Sequence, residues 1–121
     1  MGMYDEIRVE QILPEETAIY YTPYQTKSFE CLMDSYVITP KGELYREIWD
    51  YKWVENPYAK HSFMSGYQQK IPESYRREYL TNYHGDIIFY SGVKHNGLWR
   101  DYYARFTEGK LTRMWYKDYQ L

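Results

Sequence analysis

Two short stretches, "ITPKGEL" and "RFTEGKL", constrain this chain more than anything else in it. In the first, Pro40 supplies the φ near −65° that opens a type I turn, and Gly42 supplies the left-handed residue that closes it with a bulge. Ile38 is thereby set opposite Leu44, which predicts antiparallel strands over 35–39 and 43–54. In the second, Glu108 and Gly109 reverse the chain and set Phe106 opposite Leu111, with strands over 98–106 and 111–118. The turns share a Thr, a Gly and a Leu, a likeness that turn chemistry alone explains.

Around these hairpins the alternation of Ile7 and Val9 with polar neighbours predicts a first strand. A second is expected within 14–27, fenced by Pro14 and Pro23. Phe29, Leu32, Met33 and Tyr36 recur at helical spacing after Ser28, which predicts a short helix over 28–34. "PESYRREYL" reads as a further helical turn or two, and "GDIIFYSG" as a short strand. Residues 55 to 72 are polar and punctuated, and read as a long loop. The expected fold is mainly β: an antiparallel sheet of about six strands with one or two short helices, α+β being the variant. At 121 residues the chain is one domain, 1–121.

Leu, Ile, Val and Phe together number only 23, while 17 Tyr and 4 Trp bring aromatics to 21% of the chain. Rings therefore have to supply much of the core. Each Tyr also carries a hydroxyl that wants a partner or water, so that many should lie at a boundary with the ring packed and the oxygen wet. Surfaces rich in Tyr and Trp are also those that bind other proteins. The segment "GELYREIWDYKWVEN" sharpens this point. As one strand, it places Tyr45, Trp49, Tyr51 and Trp53 on one face and Leu44, Ile48 and Val54 on the other. A half-buried strand has one inside face. Either the rings form the core and the aliphatics lie under another element, or the rings form a docking surface led by Trp49 and Trp53.

Charge is uneven although its sum is −2. Residues 1–35 carry seven acidic groups against Arg8 and Lys27, whereas residues 94–117 carry six basic groups against Asp101 and Glu108. In the second hairpin, regular pairing places Arg100, Tyr102, Arg113, Trp115 and Lys117 on one face. Cations beside rings suit an anionic nucleotide or another small anion, the alternative being a solvated face whose stems cover the rings. An acidic whole with no nucleic-acid motif argues against duplex DNA.

Catalysis finds no support. His61, His84 and His95 lack metal-ligand spacing, and Cys31 is alone, expected as a buried thiol. There is no glycine-rich phosphate loop and no nucleophile motif, so no catalytic residue, metal or cofactor is expected. No apolar run reaches membrane-spanning length, and "MGMYDEIRVE" has neither a basic nor an apolar leader region, so a cytoplasmic protein with no membrane partner is expected.

The segments "YQTKSFECLMDSYVITPKGELYREIWDYKWV", "YHGDIIFYSG" and "YYARFTEGKLTRM" together resemble a group of short, uncharacterised proteins of bacteriophage and prophage genomes. That group shares an aromatic-Gln-Thr-Lys opening, a Thr-x-x-Gly hairpin, a His-Gly strand and a closing Phe-Thr-x-Gly hairpin. The resemblance assigns no role to any residue. It implies a setting inside a bacterial host cell, where small phage proteins commonly inhibit host machinery by binding it. The expectation is thus a non-enzymatic binding protein, a phage-type inhibitor of a bacterial host factor acting through Tyr45, Trp49, Tyr51 and Trp53. The alternative is a nucleotide or small-anion sponge using Arg100, Tyr102, Arg113 and Trp115. A homodimer through the aromatic face is a further arrangement that these residues allow.

Overall fold

A computed structural model describes residues 3–55 and 66–120. It contains β1 (Asp5–Val9), β2 (Tyr24–Thr26), β3 (Ser35–Ile38), β4 (Leu44–Ile48), β5 (Tyr51–Glu55), β6 (Gly66–Lys70), β7 (Arg76–Tyr79), β8 (Gly85–Tyr90), β9 (Trp99–Thr107) and β10 (Lys110–Tyr119). One 3-10 turn, Pro72–Ser74, precedes β7. Eight strands form one sheet in the order β10-β9-β8-β2-β1-β3-β4-β7, while β5 and β6 pair only with each other. Neighbours are antiparallel except β1 and β3, which run parallel. The mainly β, antiparallel-dominated class is as the sequence predicts, with more strands than the six expected.

Both turns set the predicted first pairs, Ile38 opposite Leu44 and Phe106 opposite Leu111, and the second hairpin shifts by one residue beyond Leu111. Gly42 has φ +79°, and its N–H donates to Thr39 O. Glu108 and Gly109 both have positive φ, 51° and 75°, which is the two-residue turn whose twist suits the strands beside it.

The two turns then meet. Leu44 N–H donates to Gly109 O at 3.0 Å, and Leu111 N–H donates to Gly42 O at 2.7 Å. Gly109 N–H in turn reaches Tyr83 O. Hairpins from opposite ends of the strand order are thus bonded to each other, which requires the sheet to curl on itself. The inward residues make a single core: Ile7 and Val9 from β1, Ile38, Leu44, Ile87, Phe89, Tyr102, Ala104 and Phe106. Phe89 and Tyr102 stack at 5.4 Å, and Tyr24 packs edge-on against Tyr102 at 6.0 Å. Rings do supply much of the core.

The predicted helix over 28–34 is absent. Cys31 and Met33 have φ of 58° and 61°, which no right-handed helix accommodates. The cause lies in β1: the fully buried Asp5 carboxylate accepts N–H bonds from Cys31 at 3.0 Å and Asp34 at 2.8 Å. Those bonds hold the segment as a loop, with Leu32 and Met33 exposed and Cys31 only half-buried. Phe29 and Tyr36 do meet, stacked at 3.7 Å. The second strand forms after Pro23 rather than between the prolines. "PESYRREYL" gives one 3-10 turn and then a strand, because Tyr79 to Arg76 pair with Tyr45 to Ile48 of β4. The expected strand 43–54 breaks at Trp49 and Asp50 into β4 and β5. Residues 66–70 of the expected loop form β6, while 56–65 lie outside the described residues.

Two outcomes follow from this packing. A Cβ on Gly109 would stand 2.4 Å from Leu80 O and 2.9 Å from the Tyr79 ring, in a conformation that already disfavours side chains. Gly109→Ala should therefore cost roughly 1–3 kcal/mol of unfolding free energy in a urea titration. The core tyrosines set an alkaline limit. Burial pushes the Tyr24 hydroxyl from 10.0 up to about 12, and raises Tyr36, Tyr83 and Tyr102 as well. A group raised in the folded state stabilises fully below its unfolded value and loses that contribution as pH rises through the folded one. Unfolding should hence begin above pH 10 and draw a cooperative rise in tyrosinate absorbance toward about 12. A smooth titration of all tyrosines with the circular dichroism unchanged would contradict this packing.

Candidate functional site

β4 ends where its aliphatic face has done its work. Leu44 is buried in the core, while Tyr45 lies on the opposite face and stacks on Tyr79 of β7 at 4.9 Å. The aliphatic side, not the aromatic side, is the inside of this strand. Beside Tyr45 on the outer face, the Glu47 side chain is almost fully buried and accepts bonds from Arg8 at 2.6 Å and from the Tyr75 hydroxyl. Arg77 Nε donates to that same hydroxyl at 2.8 Å. A charge-assisted network therefore ties β1, β4 and β7 together below the point where the chain leaves the sheet.

Trp49 and Asp50 make the exit. Asp50 N–H donates to Ser74 Oγ at 2.7 Å, Asp50 O accepts Ile71 N–H at 2.9 Å, and Arg76 reaches the Asp50 carboxylate at 3.2 Å. Trp49 packs on Tyr75 at 5.0 Å, and Lys70 Nζ sits 3.8 Å from its ring centre. A cleft of about 190 Å³ opens beside it, lined by Arg46, Trp49, Tyr51 and Lys70 among others. Arg46 reaches Glu78 at 3.4 Å, and its Nε is buried without a hydrogen-bond partner among the described residues.

Beyond this clamp, β5 and β6 form a two-stranded ribbon. Tyr51 is opposite Lys70 and Trp53 opposite Gln68 on one face; Val54 is opposite Tyr67 on the other. Tyr51, Trp53 and Tyr67 are 52%, 58% and 55% exposed. Trp53 lies across Gly66, where a Cβ would come within 2.6 Å of the indole. Glycine there is what lets the ring lie flat across the strand pair. Among the described residues nothing covers either face of the ribbon, and an isolated two-stranded hairpin is at best marginally stable in water. Large rings held open to solvent on such an element are what a binding partner buries.

Of the four residues predicted for partner binding, Trp49, Tyr51 and Trp53 come together at this ribbon. Tyr45 does not: it belongs to the sheet and is covered by Tyr79. Sequence reading missed Tyr67 and Tyr75. Tyr67 sits in a polar run without periodicity. The signal available for it was Gly66, a small residue beside a ring in a stretch with several aromatics nearby.

The second predicted set is divided. A bulge at Thr112, between the Leu111–Phe106 and Arg113–Arg105 pairs, turns every later residue of β10 to the opposite face. Tyr116, not Trp115, is therefore opposite Tyr102. Tyr102 is buried in the core. Arg100 lies over the Tyr116 ring at 4.1 Å, bonded through two nitrogens to Asp118 at 2.7 and 3.0 Å. That bond to Arg100 holds the Asp118 carboxyl below the usual carboxylate range and leaves the guanidinium already matched. Arg113 and Trp115 are on the outer face, where Trp115 stacks on Tyr103 at 5.3 Å and Arg113 covers it at 4.6 Å. Arg100, Tyr102, Arg113 and Trp115 thus form no common surface.

Comparison of the chain with known protein-family models, with curated proteins and with solved structures finds no match. No helix among the described residues is long and apolar enough to cross a membrane.

The ribbon's independence from the core is measurable. Trp53→Ala should change unfolding free energy by no more than about 0.5 kcal/mol. Phe106→Ala, in the core, should cost about 3–5 kcal/mol in the same urea titration.

Proposed function

We propose that this chain is a non-enzymatic binding protein that grips another protein with the β5–β6 ribbon, and that it inhibits a bacterial host factor in this way. The observation that carries the reading is the exposure of Tyr51, Trp53 and Tyr67 on an element open on both faces and clamped at its base by Asp50. A ribbon of this kind offers two surfaces to a cleft, and its Tyr and Trp side chains lose little rotamer freedom on binding because they rotate about few bonds. Covering its rings would remove one large exposed Trp and two large exposed Tyr side chains from water. The bacterial host as the source of the partner rests on the resemblance to phage-encoded proteins. The acidic start and basic end of the chain would orient the encounter and set its salt dependence.

The test is capture from a bacterial lysate on immobilised protein, followed by titration of the purified partner. Trp53→Ala and Tyr51→Ala should each weaken binding by about 2 kcal/mol or more, roughly thirtyfold, with stability preserved. Amide exchange across 51–55 and 66–70 should slow when the partner is added. Binding that survives both substitutions unchanged, or protection confined to β8–β10, would reject the ribbon as the interface.

A further inference from the structure

The sheet ends at β10, and most of that strand is unpaired on its outer side. Its beginning is occupied: Lys110 is bridged to Glu43, and Leu111 N–H is bonded to Gly42 O. From Arg113 to Tyr119 the strand pairs with β9 on one side and, among the described residues, makes no backbone hydrogen bond on the other. This stretch contains neither Pro nor Gly, and the Thr112 bulge lies outside it. The opposite edge, β7, is only four residues long. Proteins usually blunt an edge with proline, a bulge, a short strand or charged side chains, and along Arg113–Tyr119 only the last device is present, in Arg113, Lys117 and Asp118.

We infer that this edge pairs antiparallel with the same edge of a second copy, joining two sheets about a two-fold axis at Tyr116. The charges select the register. A two-fold axis perpendicular to the sheet keeps the outer faces on one side, so outer residues must face outer residues. Centring on Trp115 would set Arg113 against Lys117 of the second copy, a like-charge pair on both sides of the axis. Centring on Met114 would drive the second copy into the segment already bonded to Gly42 and Glu43. Centring on Tyr116, the midpoint of the free stretch, avoids both. It sets Lys117 against the second copy's Trp115 and Arg113 against its Tyr119, cation against ring in each case. Arg113 and Lys117 already lie over rings of their own chain, Trp115 at 4.6 Å and Tyr103 at 5.3 Å, and have no carboxylate within ion-pairing distance among the described residues, so this pairing adds a ring to each cation and breaks no ion pair. Lys117 then acts as a discriminator, since it opposes other registers and is accepted in this one. The ribbon leaves the sheet from β4 and β7, at the far end of the strand order, so a dimer of this kind presents two ribbons to its partners.

Sedimentation equilibrium of the full chain checks this directly. Apparent mass should rise from 14.9 kDa toward twice that value as concentration increases, and amide exchange across 113–119 should slow in parallel. Lys117→Glu and Trp115→Lys should each weaken self-association by about tenfold or more, the second by placing ammonium against ammonium. Mixing these two variants should restore a heterodimer, because the new carboxylate of one meets the new ammonium of the other. Lys117→Arg should dimerise as the parent does. Lys117 is exposed, so its variants should fold, and they carry the test alone if Trp115→Lys does not. A constant monomer mass at every concentration, dimers indifferent to Lys117→Glu, or a mixture that fails to recombine would each overturn the inference.

Discussion

The architecture depends on a reciprocal pair of backbone bonds between two turns. Gly42 lends its carbonyl to Leu111, and Gly109 lends its carbonyl to Leu44. An open sheet of eight strands in a chain this small would leave one face wide and wet, with too few aliphatic residues to cover it. Fastening the two hairpins together wraps the sheet around Phe89, Tyr102 and Phe106 and lets one layer serve as both wall and lid. The glycines make this approach feasible, since each turn must present its main chain with nothing projecting from it. The left-handed conformation and the close contact are required at the same residue, Gly109.

How far this could be read in advance differed from place to place. The turns were legible because their chemistry is local: Pro40 with Gly42, and Glu108 with Gly109, specify both the reversal and the pairing. The strands beside them followed from alternation. The loop at 28–34 was not legible, because the carboxylate that shapes it belongs to Asp5, far away in the chain. Local spacing suggested a helix, and a buried acceptor overruled it. The split of β4 from β5 was hidden for a related reason. Asp50 is held by Ser74 and Ile71, partners that no window around Asp50 contains.

The candidate site shows how a single residue can decide a face. Up to Leu111 the second hairpin obeys the expected parity. The bulge at Thr112 then inverts it, so that Arg100 and Tyr102 go inward while Arg113 and Trp115 go outward. Nothing in "KLTRMW" announces an extra residue. Where parity held, the outcome was more useful: Leu44 took the core and left the ring-bearing side of its strand outside. The ribbon continues that excess of aromatic surface beyond the sheet, which is why three of the four residues named from the pattern converge there.

The base of the ribbon has a consequence for how such a chain can vary. Ile48 is paired directly with Arg76, so β4 and β7 are already a hairpin, and the described residues 49–55 and 66–74 form its elongated tip. The scaffold closes below that tip through Arg8, Glu47, the Tyr75 hydroxyl and Arg77 without help from it. Such an arrangement separates inheritance of the framework from inheritance of the arm proposed to bind. Under the proposed function, drift, insertion or wholesale exchange in the arm would retarget the molecule while the rolled sheet beneath it stayed as it was.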